Sequence, residues 1–299
     1  MDIIAQLVVS GISVGMIYSV VAFGYQLTFA TSNTLNFGQG EALMLGSLVG
    51  FSVVTRLIAA HFGAGTAYAI MLPIVLIVGA AQGILVEWIA VRRGARSRSS
   101  VTWILATIAL GIILRNIAEN VWGRDPMKFP SPVSEQPLIF GSVRVQPMEI
   151  LIVIGALALM LAVELFNRRS IYGKAFVATS IDRSAAELVG ISTTRVISMS
   201  YALSSLSAAF AGVLIAPVTL TGAGIGLALG LKGFAVGIIG GLSSGLGVIA
   251  GGLILGIAET LTGYYISSGY KDVPGLVMLL LVLSFRPFGL FGKASIRKV

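Results

Sequence analysis

The chain has 299 residues, of which 56% are hydrophobic and only 11% charged, with a net charge of +8 and a mean hydropathy of +0.96. That charged fraction is about half the soluble norm, too few polar residues to coat a soluble globule of this length. Cysteine is absent, which excludes disulfides and thiolate metal sites, and the positive excess reads as an orientation signal at a membrane, not as affinity for nucleic acid.

The opening MDIIAQ carries no basic region, so the first apolar span is expected to be retained, not cleaved as a signal peptide. Apolar runs then recur along the chain, each near the roughly 20 residues that cross a hydrocarbon core. Ile3 to Phe29 is the first, about 40 Å if fully helical, and Thr31-Ser32-Asn33 breaks it. Ala42 to Ala60, Ala67 to Val91 with Pro73 in its early turns, Val101 to Val121, and Glu149 to Phe166 follow. After a long polar loop come Val196 to Leu220, then Gly222 to Ser244, which is rich in Gly and reads as broken. Leu246 to Ile266 and Val273 to Phe285 complete eight or nine spans. The N-terminal side depends on whether the first region crosses once or twice.

Three groups hold 13 of the 20 basic residues. They are Arg92, Arg93, Arg96 and Arg98; Arg168, Arg169, Lys174, Arg183 and Arg195; and Arg286, Lys293, Arg297 and Lys298. Placing them in the cytoplasm, and the Pro-rich Trp122 to Pro147 segment outside, gives a consistent alternation. Gly11/Gly15, Gly46/Gly50, Gly79/Gly83, Gly222/Gly226/Gly230, Gly237/Gly241/Gly245 and Gly247/Gly251 have the four-residue spacing that lets helices approach closely in lipid. A chain with 37 Gly matches that spacing often by chance, so the pattern indicates a tight bundle and nothing more specific.

Polar residues interrupt the apolar spans twice. Asn33, Asn36, Gln39 and Glu41 lie together in NTLNFGQGEALML. A carboxylate inside hydrocarbon costs about 2.5–3.5 kcal/mol on insertion scales. Irregular backbone is tolerated at that depth only where it is buried or lines a cavity. A broken helix beside a translocation path and an interfacial loop with a snorkelling Glu41 both fit. Glu259, within GLILGIAETL, reads as structural.

Catalytic motifs fail on chemistry. Gly11 to Gly15 and Gly241 to Gly245 both match G-x-S-x-G, but the sole His, His61, sits at a span end, and the first match falls in an apolar helix. Gly269-Tyr270-Lys271 lacks the rest of a phosphate-binding loop, so the chain has no visible means of hydrolysing ATP. One His without Cys leaves no transition-metal site, and no cofactor is implied.

Asn167 to Arg195 is longer than a surface turn requires. Gly173 to Thr179 can form a short helix; Asp182 suits an N-cap for Arg183 to Val189, and Gly190 suits the position that ends it. Ala185, Ala186, Leu188 and Val189 would give this second helix an apolar face. So short a helix needs a surface to pack on: a partner, the protein's own helix ends, or the bilayer.

Gly173-Lys174-Ala175, Ala178, Asp182, Ala185-Ala186, Leu188 and Gly190-Ile191 resemble the cytoplasmic coupling loop of LivH-type permeases, the membrane subunits of ABC importers for branched-chain amino acids. NTLNFGQGE at Asn33 to Glu41, the basic stretch Glu87 to Arg98, the Gly-rich segment from Gly240 through Gly252 into LILGIAE, Tyr270-Lys271-Asp272 and RPFGLFG at Arg286 to Gly292 resemble further motifs of that family in the same order. Val177 and Ile181 depart from it, standing where a basic and an acidic residue are common.

The resemblance implies an all-α polytopic membrane protein, a type II importer-like bundle in which residues 1–299 form one permease domain. It implies a bacterial inner-membrane location, a second LivM-like permease, two cytoplasmic ATP-binding subunits, an extracytoplasmic amino acid-binding protein, and contact with membrane lipid but not nucleic acid. The 167–195 loop, through Gly173, Ala178, Asp182, Ala185, Ala186, Leu188 and Gly190, would couple to an ATPase. Asn33, Asn36, Gln39 and Glu41 would border the path. Branched-chain amino acids are the expected substrate; urea, short-chain amides or other amino acids are the alternative. An ion-coupled carrier using Glu41 or Glu259 stands as a different class.

Overall fold

The computed structural model describes residues 2–94, 102–141 and 143–292. Arg96, Arg98, Lys293, Arg297 and Lys298 of the basic groups lie outside the described residues. α1 runs unbroken over Asp2–Ser32, so the first region crosses once. α2 is Gln39–Ala59, and α3 is Ala64–Val86, continued by a π-helical turn at Glu87–Val91. α4 covers Thr102–Trp122; a hairpin of β1 (Leu138–Phe140) and β2 (Val143–Val145) follows. α5 is Pro147–Arg169, and the short α6 (Ile171–Ile181) and α7 (Arg183–Leu188) fill the long loop. α8 (Thr193–Ile215), α9 (Ile225–Gly240), α10 (Gly245–Tyr265) and α11 (Val273–Phe285) complete the bundle.

Among the described residues, eight helices are long and apolar enough to cross a membrane, and α9 is a shorter apolar helix. The break expected in Gly222 to Ser244 is thus a turn before a 16-residue helix, and the span expected to reach Leu220 ends at Ile215.

α1 and α8 are mostly buried, whereas α4 and α11 present most of their surface outward. Ile112, Ile113, Leu276 and Leu280 are each more than half exposed, as lipid-facing side chains are. The main core draws on α1, α2, α5, α8 and α10. Its helices meet backbone to backbone. A Cβ on Gly15 would lie 2.4 Å from the Gly252 carbonyl oxygen, and one on Gly256 2.3 Å from that of Gly11, so α1 and α10 seal along this face. Gly46 and Gly212 join α2 to α8 in the same way, and Gly79 and Gly83 join α3 to α8.

The ends of the bundle differ. The Gln6 side chain pairs with the backbone of Arg144 at 2.5 and 2.8 Å, and Ser10 donates to Glu149 at 2.6 Å, so the start of α1 shares an end with the hairpin. Arg168, Arg169 and the α6–α7 loop mark the opposite, basic end. The RPFGLFG tail has a local task. Leu290 and Phe291 donate their N–H groups to the carbonyls of Ile239 and Gly240, satisfying the terminus of α9.

Gly15→Leu is expected to cost at least about 1–3 kcal/mol through overpacking and to lower the melting temperature of the detergent-purified chain. Gly65→Ala, where a Cβ meets nothing within 4 Å, should leave it unchanged.

Candidate translocation and coupling sites

The long loop is shaped by four local devices. Ser170 caps α6 by accepting from the Gly173 N–H at 2.8 Å, and Asp182 caps α7 by accepting from the Ala185 N–H at 2.9 Å. Gly190 takes φ +86°, the left-handed turn that stops α7, while Ile191 donates back to the Ala186 carbonyl at 3.0 Å. Gly173 answers a steric need: a Cβ there would lie 2.4 Å from Asn167, so only Gly lets α6 fold against the end of α5.

The apolar residues of α7 do not share one buried face as the sequence suggested. Ala186 is buried and Ala178 of α6 half-buried, whereas Leu188 and Val189 are 89% and 76% exposed. Ile181 is 81% exposed and Val177 45%. With only six residues in α7, one turn anchors on Ala186 and the rest faces outward.

The polar segment between α1 and α2 is read by the serine-rich face of α8. Asn33 ends α1 at φ 51°, a conformation Asn tolerates, and its side chain points outward, apart from the others. Asn36 accepts from the Gly38 N–H at 3.0 Å and donates to Ser205 at 3.4 Å. Gln39 donates to the Ser204 carbonyl at 2.9 Å and accepts from the Ser204 hydroxyl at 2.8 Å. Thr31 donates to Ser200 at 2.7 Å, and the Thr34 and Tyr201 hydroxyls lie 2.7 Å apart. Glu41 is only 6% exposed and has an unpartnered Oε2, so it does not snorkel. Gln82 of α3, not singled out from sequence, joins this group through the Gly38 carbonyl at 3.5 Å.

A second buried cluster explains Glu259. Lys232 of α9 donates to Glu259 at 2.8 Å, to Asp272 at 2.7 Å and to the Tyr18 hydroxyl at 3.3 Å, and Tyr18 donates to Glu259 at 2.7 Å. Lys232 does not stand out in the sequence motifs. The available signal is that Lys232 and Glu259 are the sole charged residues between Gly222 and Ile266. Opposite charges alone in an apolar stretch are expected to pair.

At the basic end, Arg92 holds Glu87 with contacts of 2.8 and 3.1 Å, and both reach Ser198. The hydrogen bond to Glu87 raises the Arg92 guanidinium above its ordinary value, keeping Arg92 charged. Ser13, from the first G-x-S-x-G match, lies within α1 and donates to its own helix at the Ser10 carbonyl, 2.8 Å away.

The spans and buried polar seams define a multi-pass helical membrane protein of the permease class. Residues 7–283 match the family described as the permease component of branched-chain amino acid transport systems, and the chain belongs to that family. It is 32% identical to the high-affinity branched-chain amino acid transport system permease protein LivH of Salmonella typhimurium over 98% of this chain and 97% of that one. Identity to LivH of Escherichia coli K12 is also 32%, with the same coverage. BraD of Pseudomonas aeruginosa is 31% identical over 98% of this chain and 97% of its own length.

Lys232→Met leaves Glu259 buried without its cation and is expected to destabilise the chain by about 3–5 kcal/mol. Pairing it with Glu259→Gln should recover much of that loss. Denaturation of the purified variants measures both.

Proposed function

We propose that this chain is the permease subunit of an ATP-driven importer of branched-chain amino acids in a bacterial inner membrane. The whole chain acts as one permease domain, with its basic end in the cytoplasm. It works with a second permease, two cytoplasmic ATP-binding subunits and an extracytoplasmic amino acid-binding protein. Membership in the family, together with relatives named for branched-chain amino acid transport, supports the substrate class. Urea, short-chain amides and other amino acids are the competing cargo, and uptake competition separates them.

The observation that carries the coupling role is the outward apolar tip of a doubly capped loop. Ile181, Leu188 and Val189 extend from the basic end, where an isolated soluble loop would turn such side chains inward. Gly173, Ala178, Asp182, Ala185, Ala186, Leu188 and Gly190 shape that tip for the ATPase. ATP-driven movement there tilts α5 and α8, which flank the loop, and reopens the path beside Asn36, Gln39 and Glu41. Asn33, facing outward, would stand at the rim of that path.

The test is uptake by the reconstituted complex, with labelled leucine competed by isoleucine, valine, urea and amides. Asp182→Ala removes a cap worth about 1 kcal/mol, and Gly190→Pro cannot adopt the positive φ of this turn. Both variants should insert normally, yet lose most ATP-driven uptake. Full uptake with normal assembly in either variant would sink the coupling role. Uptake that persists without ATP would instead favour an ion-coupled carrier.

A further inference from the structure

The polar segment contains two acceptors that the bundle leaves open. Glu41 is 6% exposed, makes no hydrogen bond among the described residues, and has a shielded Oε2 with no donor. Gln82, equally buried, uses its Nε2 on the Gly38 carbonyl while its Oε1 has no donor. Their neighbours Asn36 and Gln39 are partnered by Gly38 and α8, so within this segment the open acceptors are those of Glu41 and Gln82.

One stripe of α4 covers both. Trp103, Thr107 and Gly111 follow one another at one-turn spacing. The Trp103 ring stacks on Phe37 at 6.4 Å. A Cβ on Gly38 would lie 3.8 Å from both the Thr107 carbonyl and Gln82 Nε2, and one on Gly111 would lie 3.2 Å from Glu41 Cγ. Gly38, which holds Gln82, and Glu41 thus lie beside successive turns of α4, at Thr107 and Gly111. α4 itself buries only Thr107, Leu110, Gly111 and Ala118, so it is a lightly held cover. Arg115, the next cation along α4, is engaged by Glu119 at 3.1 Å. Phe37 also packs on Phe234 at 5.5 Å, giving an aromatic wall next to the acceptors.

We propose that Glu41 and Gln82 form a subsite for a primary ammonium group carried on an apolar body. An ammonium offers three donors, and the two Glu41 oxygens and Gln82 Oε1 supply the acceptors. A buried carboxyl with no ion-pair partner gains by ionising against an incoming cation, so the subsite favours a ligand that brings one. The adjoining aromatic wall suits an aliphatic side chain. This assignment rests on the transport reading, in which the ligand is the amino acid in transit.

The cysteine-free sequence provides a direct test. Thr107→Cys places the chain's sole thiol on the α4 stripe, in the assembled complex in membrane vesicles. Mass shift of this chain then follows modification by 2-aminoethyl and 2-sulfonatoethyl methanethiosulfonate, each rate normalised to that with a free thiol. The cationic reagent should react about tenfold faster or more, the sign expected beside a carboxylate. Isoamylamine should slow the reaction several-fold and 4-methylpentanoate should not. Glu41→Gln should abolish both the charge preference and the protection, and Glu41→Asp should restore them in part, whereas a merely structural carboxyl predicts no such dependence. If Glu41→Gln fails to insert, Gln82→Leu must by itself weaken isoamylamine protection. Equal normalised rates, equal protection by the carboxylate, a thiol that neither reagent reaches, or a charge preference that survives Glu41→Gln would each overturn the subsite. The transport reading is read separately by leucine uptake: charge-selective protection without uptake sinks that reading alone, and uptake without charge selectivity sinks the subsite alone.

Discussion

Close backbone approach between helices is the constraint on which this fold depends. In lipid, apolar side chains gain little by leaving one hydrocarbon environment for another, so helix association needs van der Waals fit. Gly11, Gly15, Gly252 and Gly256 supply it between α1 and α10, and Gly46 and Gly212 supply it between α2 and α8. With backbones this near, α1 and α8 form a central pair, and the remaining helices take their places around them.

That tight packing also makes room for polarity. The irregular stretch after α1 is tolerable because the serines of α8 meet its polar groups one by one. Lys232 and Glu259 are tolerable because their charges pair at Glu259 Oε2, where Tyr18 also donates, while Asp272 accepts a further Lys232 proton. The two clusters differ in charge balance: Glu259 is paired with Lys232 although its Oε1 has no donor, whereas Glu41 has no ion-pair partner among the described residues. The Lys232 cluster ties α9 to α10, α1 and the start of α11, whereas the Glu41 cluster retains unpaired acceptors under a lightly held helix.

At the basic end the logic reverses. There the chain exposes apolar atoms on a rigid loop instead of hiding polar ones. The caps at Ser170 and Asp182 and the left-handed Gly190 fix the loop's shape without help from a partner. A pre-shaped loop would lose little conformational freedom on docking, as the proposed coupling role requires.

The sequence by itself determined the membrane class, eight or nine spans with two ambiguous regions, and the Asp182 cap and Gly190 stop of the long loop. These are local signals, since span length, the Asp182 cap and the Gly190 stop depend on neighbours in the chain. Family membership was also legible, because its motifs occur in order along the chain. Tertiary structure alone decided which polar residues share a site. Lys232 meets Glu259 across 27 residues and Tyr18 across 214, and Gln82 meets Gly38 across 44. It also separated Asn33, which faces outward, from Glu41, which is buried, and turned Leu188 and Val189 away from Ala186. Periodicity tells how a helix is coloured, but a helix buried on several sides shows no single polar face, so only its neighbours fix what each polar group meets.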